Sequence, residues 1–174
     1  MKKGIFALFL SFLFVLSSCS LQSIILSDSQ IINGEFDKVL EASQNRDAYF
    51  LKSLFSEEAI SKSEAFDSNV ELLFEYFQGV NASYEDNGAL TVEESNEDGI
   101  RKKVIRKTYD VTTSMETYRF AISFVVDGVD DVNNLGIWSM YIIKMKDDSD
   151  PTYAYWGDGK DSPGINIGIR NVIA

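Results

Sequence analysis

The sequence predicts an α+β fold in which N-terminal helices lie on a curved antiparallel sheet. Two observations predict it. Apolar residues recur at three- and four-residue steps in the first half of the chain, and at two-residue steps from Val80 onward. The longest two-residue pattern sets Tyr118, Phe120, Ile122, Phe124 and Val126 on one side of a strand. Ile137 to Ile143 is rich in β-favouring types, and Asp127 to Asn134 between the two runs is dense in turn formers. A long hairpin over Thr117 to Met145 follows, with an apolar face that upstream helices can cover.

The chain opens with Met1-Lys2-Lys3 and an apolar run from Gly4 to Leu16, too short for a comfortable membrane span. This is the pattern of a secretory signal peptide over residues 1–18. Leu16-Ser17-Ser18-Cys19 resembles the lipobox of bacterial lipoproteins. That resemblance implies cleavage before Cys19 and a diacylglycerol thioether on its sulfur. Residues 19–29 are then a lipidated tether, residues 30–174 are a single domain, and the cell membrane, on its extracytoplasmic face, is the partner that the lipid supplies. Acyl chains contribute about 0.8 kcal/mol per buried methylene, so two or more anchor firmly. About 150 residues outside the signal are enough to bury a sizeable core.

Within the domain, Asp28 and Ser29 are placed to cap a helix carrying Ile32, Phe36, Val39 and Leu40 as its apolar stripe. Gly34 weakens its first turn by about 1 kcal/mol relative to alanine. Asn45-Arg46-Asp47 breaks it, and Asp47 caps a second helix with Phe50, Leu51, Leu54 and Phe55 inward. Ser56 starts a short turn that carries Ile60. Ser68 and Glu71 have capping-box spacing for a helix running to Gln78, with Val70, Leu73, Phe74 and Phe77 inward and Gly79 as its stop. Strands are expected at Val80 to Glu85 and Ala89 to Glu94, joined by an Asn87-Gly88 hairpin turn. A long strand from Ile100 to Thr113 follows, then the 117–145 hairpin. The turn-rich end, Thr152 to Ala174, is expected to add a short edge element or wrap the domain.

Helices followed by a strand meander resemble the cystatin-like cone of the nuclear transport factor 2-like superfamily. The corner Leu51-Lys52-Ser53-Leu54-Phe55-Ser56, the strand at Ile137-Trp138 and the ending Tyr155-Trp156-Gly157-Asp158-Gly159-Lys160-Asp161-Ser162-Pro163-Gly164-Ile165 resemble a more specific group. This is a family of bacterial lipoproteins catalogued as domain of unknown function 5104. The superfamily resemblance implies a sheet cavity that binds a small molecule or, in some branches, carries acid–base catalysis by an Asp–His or Asp–Tyr pair.

The chain has no histidine and one cysteine, Cys19. Histidine bases, histidine metal ligands, internal disulfides and cysteine zinc clusters are therefore excluded. The Asp–Tyr alternative would draw on Tyr76, Tyr109, Tyr118, Tyr141 and Asp110, though nothing in the sequence makes any two of them converge. A net charge of -11 makes nucleic acid a poor partner. Arg101 to Lys107 is the one basic block. It reads as a docking strip for an anionic group or, better, as a solvated strand whose lysines discourage edge pairing. Acidic groups at Glu93-Glu94 with Glu97-Asp98, at Asp127 with Asp130-Asp131, and at Asp147-Asp148 with Asp150 lack calcium-loop spacing, and no metal or cofactor is expected. The aromatic, glycine-rich stretch from Tyr153 to Lys160 reads equally as a lid over a pocket and as a clasp on the sheet. The expected function is non-catalytic binding of a small molecule, a peptide or an envelope partner, with Tyr118, Phe120, Trp138 and Trp156 as contact residues. The alternatives are a pocket hydrolase or isomerase and a surface oligomerisation module.

Overall fold

The structure is a computed structural model, and it describes residues 27–88, 90–97, 100–128, 134–148 and 161–168. Helices α1 (Asp28–Asn45), α2 (Ala48–Ser53), α3 (Glu57–Lys62) and α4 (Phe66–Tyr76) come first. Strands β1 (Ser83–Asp86), β2 (Thr91–Glu97), β3 (Ile100–Thr112), β4 (Thr117–Gly128), β5 (Gly136–Lys144) and β6 (Gly164–Ile167) follow, with a 3-10 turn at Met145–Asp147. The α+β layout is the expected one.

The stripe of α1 is buried as its spacing requires: Ile32, Phe36, Val39 and Leu40 all face the sheet. Its cap lies one residue earlier than expected. The Ser27 hydroxyl accepts from the Gln30 amide, and the Gln30 side chain accepts from the Ser27 amide in return. Arg46 ends α1 in the left-handed region, and the Asp47 carboxylate caps α2 through the Phe50 amide at 2.9 Å. Ser56 caps α3 through Ala59. The expected capping box at Ser68 is not used, because α4 starts two residues earlier, at Phe66. Burial explains the shift: Phe66 packs edge-on against Phe55 with ring centres 4.9 Å apart, which draws the extra residues into the first turn. The helix also stops at Tyr76, short of Gln78. Gly79, at φ +98°, lies in the linker against Thr113, where a Cβ would sit 2.5 Å from the threonine hydroxyl.

The sheet runs β1-β3-β4-β5-β6, with β2 also on β3. One expectation fails here. Asn87-Gly88 does not close a hairpin, because β1 and β2 pair with the two halves of β3 instead of with each other. The Asn87 amide donates to the Thr108 carbonyl at 2.9 Å and its side chain to Asp110 at 2.6 Å, so β3 already occupies the edge that a hairpin partner would need. The 117–145 hairpin forms as expected, with Tyr118 opposite Lys144 and Ile122 opposite Met140. At the far edge β6 pairs in parallel with β5, an edge element made from the turn-rich end.

Ile105, Lys107, Tyr109 and Val111 of β3 share one face with Tyr118, Phe120 and Ile122 of β4 and with Met140 and Ile142 of β5. That face meets α1 and α4 to make the core. The opposite face is also closed at its centre, where Ala121, Ser123, Ser139 and Tyr141 are fully buried. The helical and sheet halves are joined by backbone as well as side chains. The Ile137 amide donates to the Leu54 carbonyl at 2.9 Å, and the Ser56 amide donates to the Ile137 carbonyl at 3.0 Å.

Gly136 makes this junction possible. Its φ is +122°, and a Cβ there would lie 2.9 Å from both the Leu54 carbonyl oxygen and the Ser56 amide nitrogen. Gly136→Ala is expected to cost about 1–3 kcal/mol in urea denaturation. Gly34→Ala meets nothing within 4 Å on α1 and is expected to add about 0.5–1 kcal/mol.

Candidate functional site

The space between helices and sheet is filled by rings. Phe36 stacks on Tyr109 with centres 3.8 Å apart and planes 3° from parallel. It also meets Phe120 edge-on at 5.5 Å, while Phe77 packs on Phe120 at 5.6 Å and on Tyr118 at 5.0 Å. Tyr118 and Phe120 are therefore core residues with no exposed surface. The Tyr118 hydroxyl accepts from the Gln78 amide at 2.8 Å and donates to the Tyr76 carbonyl at 3.0 Å, tying β4 to the end of α4. A ligand could reach either residue only by opening this packing.

Trp138 lies on the rim. The register shift between Ser123 and Phe124 leaves it as the extra residue on β5, turned out of the alternation. Its indole N–H donates to the Asp161 carbonyl at 2.8 Å, and the ammonium groups of Lys62 and Lys102 lie 5.6 and 5.5 Å from its ring. Trp156 and Cys19 lie outside the described residues.

Asp161 makes the main polar join on the outer face. Its carboxylate accepts from Arg106 at 3.1 Å, from the Ser123 hydroxyl at 3.2 Å and from the Ser139 hydroxyl. The next residue, Ser162, donates its amide to the Tyr141 hydroxyl at 2.6 Å. One turn thus pins the start of β6 to β3, β4 and β5 at once. The stretch from Tyr153 to Lys160, read as a lid or a clasp, lies outside the described residues. The sequence held no signal for Asp161, because its partners lie 22 to 55 residues away.

The suggested Asp110–Tyr pair does not assemble. Asp110 points to the outer face, where Arg119 grips it with two hydrogen bonds of 2.8 and 3.0 Å and Asn87 adds a third. Tyr109 and Tyr118 point to the helix face, as strand alternation demands. Tyr141 shares the outer face but is held by Ser162.

The basic block divides in the same way. Lys103 pairs with Asp28 at 2.6 Å, and Arg106 with Glu93 at 2.7 Å and with Asp161. Lys107 is the unexpected member, since it enters the helix face beside Tyr109 and is almost fully buried. Its ammonium donates to Asp86 at 2.8 Å, to the Asn33 side-chain oxygen at 2.9 Å and to the Ser29 hydroxyl at 3.4 Å. The same Asn33 oxygen accepts from the Tyr109 hydroxyl at 2.9 Å. All three ammonium donors are thus engaged, as a buried charge requires. The alternation Ile105-Lys107-Tyr109-Val111 did carry this signal. Among the described residues, no group of three or more acidic or cysteine side chains gathers to hold a metal ion.

An open surface lies beside this cluster. A groove of about 450 Å³ runs between α1 and β1, lined by Asp37, Leu40, Glu41, Gln44, Ala82 and Tyr84 among others. The Tyr84 hydroxyl donates to Asp37 at 2.9 Å across it, and the ring packs edge-on against Phe36 at 5.1 Å. Burial first, and then the hydrogen bond to Asp37 with its negative charge, push the Tyr84 phenol up to about 12. The groove offers carboxylates, an aromatic ring and an amide.

Residues 38–145 match the family described as a domain of unknown function (DUF5104). The match takes in more than half of the chain, and the chain belongs to that family. It includes α2 to β5 and the backbone junction at Ile137. No curated protein matches the chain.

Two measurements follow from this geometry. Asn33→Ala removes the acceptor shared by Lys107 and Tyr109 and is expected to cost about 1–3 kcal/mol by chemical denaturation. Tyr84 keeps its proton in the fold after the unfolded chain has lost it. Its contribution is therefore present below an ordinary phenol pKa near 10, and it is lost as pH rises toward about 12. Burial also raises Tyr109 and Tyr118, so the native protein should lose stability steadily above about pH 10. Urea midpoints measured across that range should fall less steeply in Tyr84→Phe.

Proposed function

We propose that this protein is a non-catalytic binding domain held on the extracytoplasmic face of the cell membrane by lipid on Cys19. It binds a small molecule, a peptide or an envelope partner at its surface. One observation carries the reading: the interior beneath the sheet is closed by the Phe36–Tyr109–Phe120 packing, while an open, mixed polar and aromatic groove lies beside it. The order of helices and strands supports descent from the cystatin-like, nuclear transport factor 2-like group, with the cone filled where relatives keep a cavity. The lipobox resemblance at Leu16 to Cys19 supports the anchor. Asp28 starts α1 nine residues after Cys19, so the tether spans at most about 30 Å and holds the domain close to the bilayer.

Each half has its own test. In bacteria fed an alkyne fatty acid, the wild-type chain should carry the label and Cys19→Ser should not; a labelled Cys19→Ser protein would refute the anchor. For binding, fractions of an envelope extract should raise the unfolding temperature of the full chain in detergent by about 2–8 °C. If no fraction raises it, the binding role is wrong.

A further inference from the structure

We propose that the outer edge of β1 is a docking strand, and that its occupant is an extended basic peptide segment that adds to the sheet. The inference rests on the binding reading above and names the partner class. The bond from the Asn87 amide to the Thr108 carbonyl marks these two residues as a hydrogen-bonded pair. Bonded and non-bonded pairs alternate in an antiparallel ladder. Glu85 with Asp110 and Ser83 with Thr112 are then the bonded pairs, and the backbone groups of Tyr84 and Asp86 point away from β3. Ala82 continues that outward set, and its amide donates to the Gln44 side-chain oxygen at 3.1 Å. A side chain from α1 thus fills the place that a neighbouring strand's carbonyl would take. Among the described residues β1 is the last strand at this end of the sheet order, and the α1–β1 groove runs along it.

The chemistry of the groove selects the occupant. Asp37 and Glu41 are exposed on α1, and Glu85 and Asp86 are exposed on the strand. Leu40 and the Tyr84 ring lie between them as an apolar floor. An added strand sends alternate side chains into the groove. A lysine or arginine there lays its methylenes on Leu40 and Tyr84 and brings its charge to Asp37 or Glu41. The same carboxylates disfavour a second copy of this chain, whose own Glu85 and Asp86 would face them. Four residues of β1 make a short ladder, so charge supplies selectivity while the backbone supplies register.

The test measures fluorescence anisotropy with the full chain in detergent. The probe is a labelled pentapeptide with blocked ends, carrying lysine at positions 1, 3 and 5 and valine between. Two further probes replace lysine by glutamate, or methylate alternate backbone amides at unchanged charge. The basic peptide should bind at least tenfold more tightly than either. Glu41→Lys, on the exposed face of α1, should weaken it at least tenfold without moving the unfolding temperature. Hydrogen exchange at the Tyr84 and Asp86 amides should slow when the peptide is bound. Three results overturn the proposal: no binding of the basic peptide, equal binding of the methylated one, or dimers of the chain joined through β1. Stabilisation by envelope fractions is measured separately, so the broader binding role stands or falls on its own result.

Discussion

The fold depends on the contact between the Leu54–Ser56 corner and the start of β5. Elsewhere the helices meet the sheet through side chains, which can slide and repack. Here the contact is backbone to backbone, with two hydrogen bonds and the space that only a glycine at position 136 leaves. Such bonds fix register. With Ile137 held, Phe55 is delivered to Phe66, α4 is set across β6, and the Asn69 side chain reaches the Ile165 carbonyl at 2.9 Å.

This junction also bears on how closely the helices cover the sheet. Helices held so close lower Phe36 onto Tyr109 and close the interior. The far edge of the sheet is occupied by β6 under α4, and the outer face is stapled by Asp161. The α1 side of β1 is less complete. There a glutamine side chain and a tyrosine hydroxyl span the gap between helix and strand. The inside of this protein is packed with rings, and the open groove lies at the β1 margin.

Much of the architecture was legible in the sequence, because it follows from period. The α1 stripe and the inward face of the 117–145 hairpin read directly from spacing, whereas Lys107, expected on a solvated strand, is buried. Local competition was harder to read. Ser68 offered a good cap but lost to the burial of Phe66, and Asn87-Gly88 offered a good turn but met a β3 already long enough to pair with both flanking strands. Tyr118 and Phe120, expected as contact residues, are buried for a related reason. An aromatic ridge looks the same whether it lines a cavity or fills one, and Phe36, 84 positions before Phe120, decides between the two. The pairs Tyr84–Asp37 and Asp161–Arg106 join segments far apart in the chain, and no local pattern announces them.

The Phe55–Ile137 bridge also bears on how the chain folds. The meander from β2 to β5 joins neighbours in sequence and closes short loops, whereas the bridge ties residues about eighty positions apart. Closing so long a loop is entropically costly until the meander has brought β5 to a fixed place. Loop-closure entropy therefore favours hairpins that form before the helices settle onto them. Until that docking, the apolar stripes of α1 and α4 face water, and a chaperone has its natural opportunity to hold the chain.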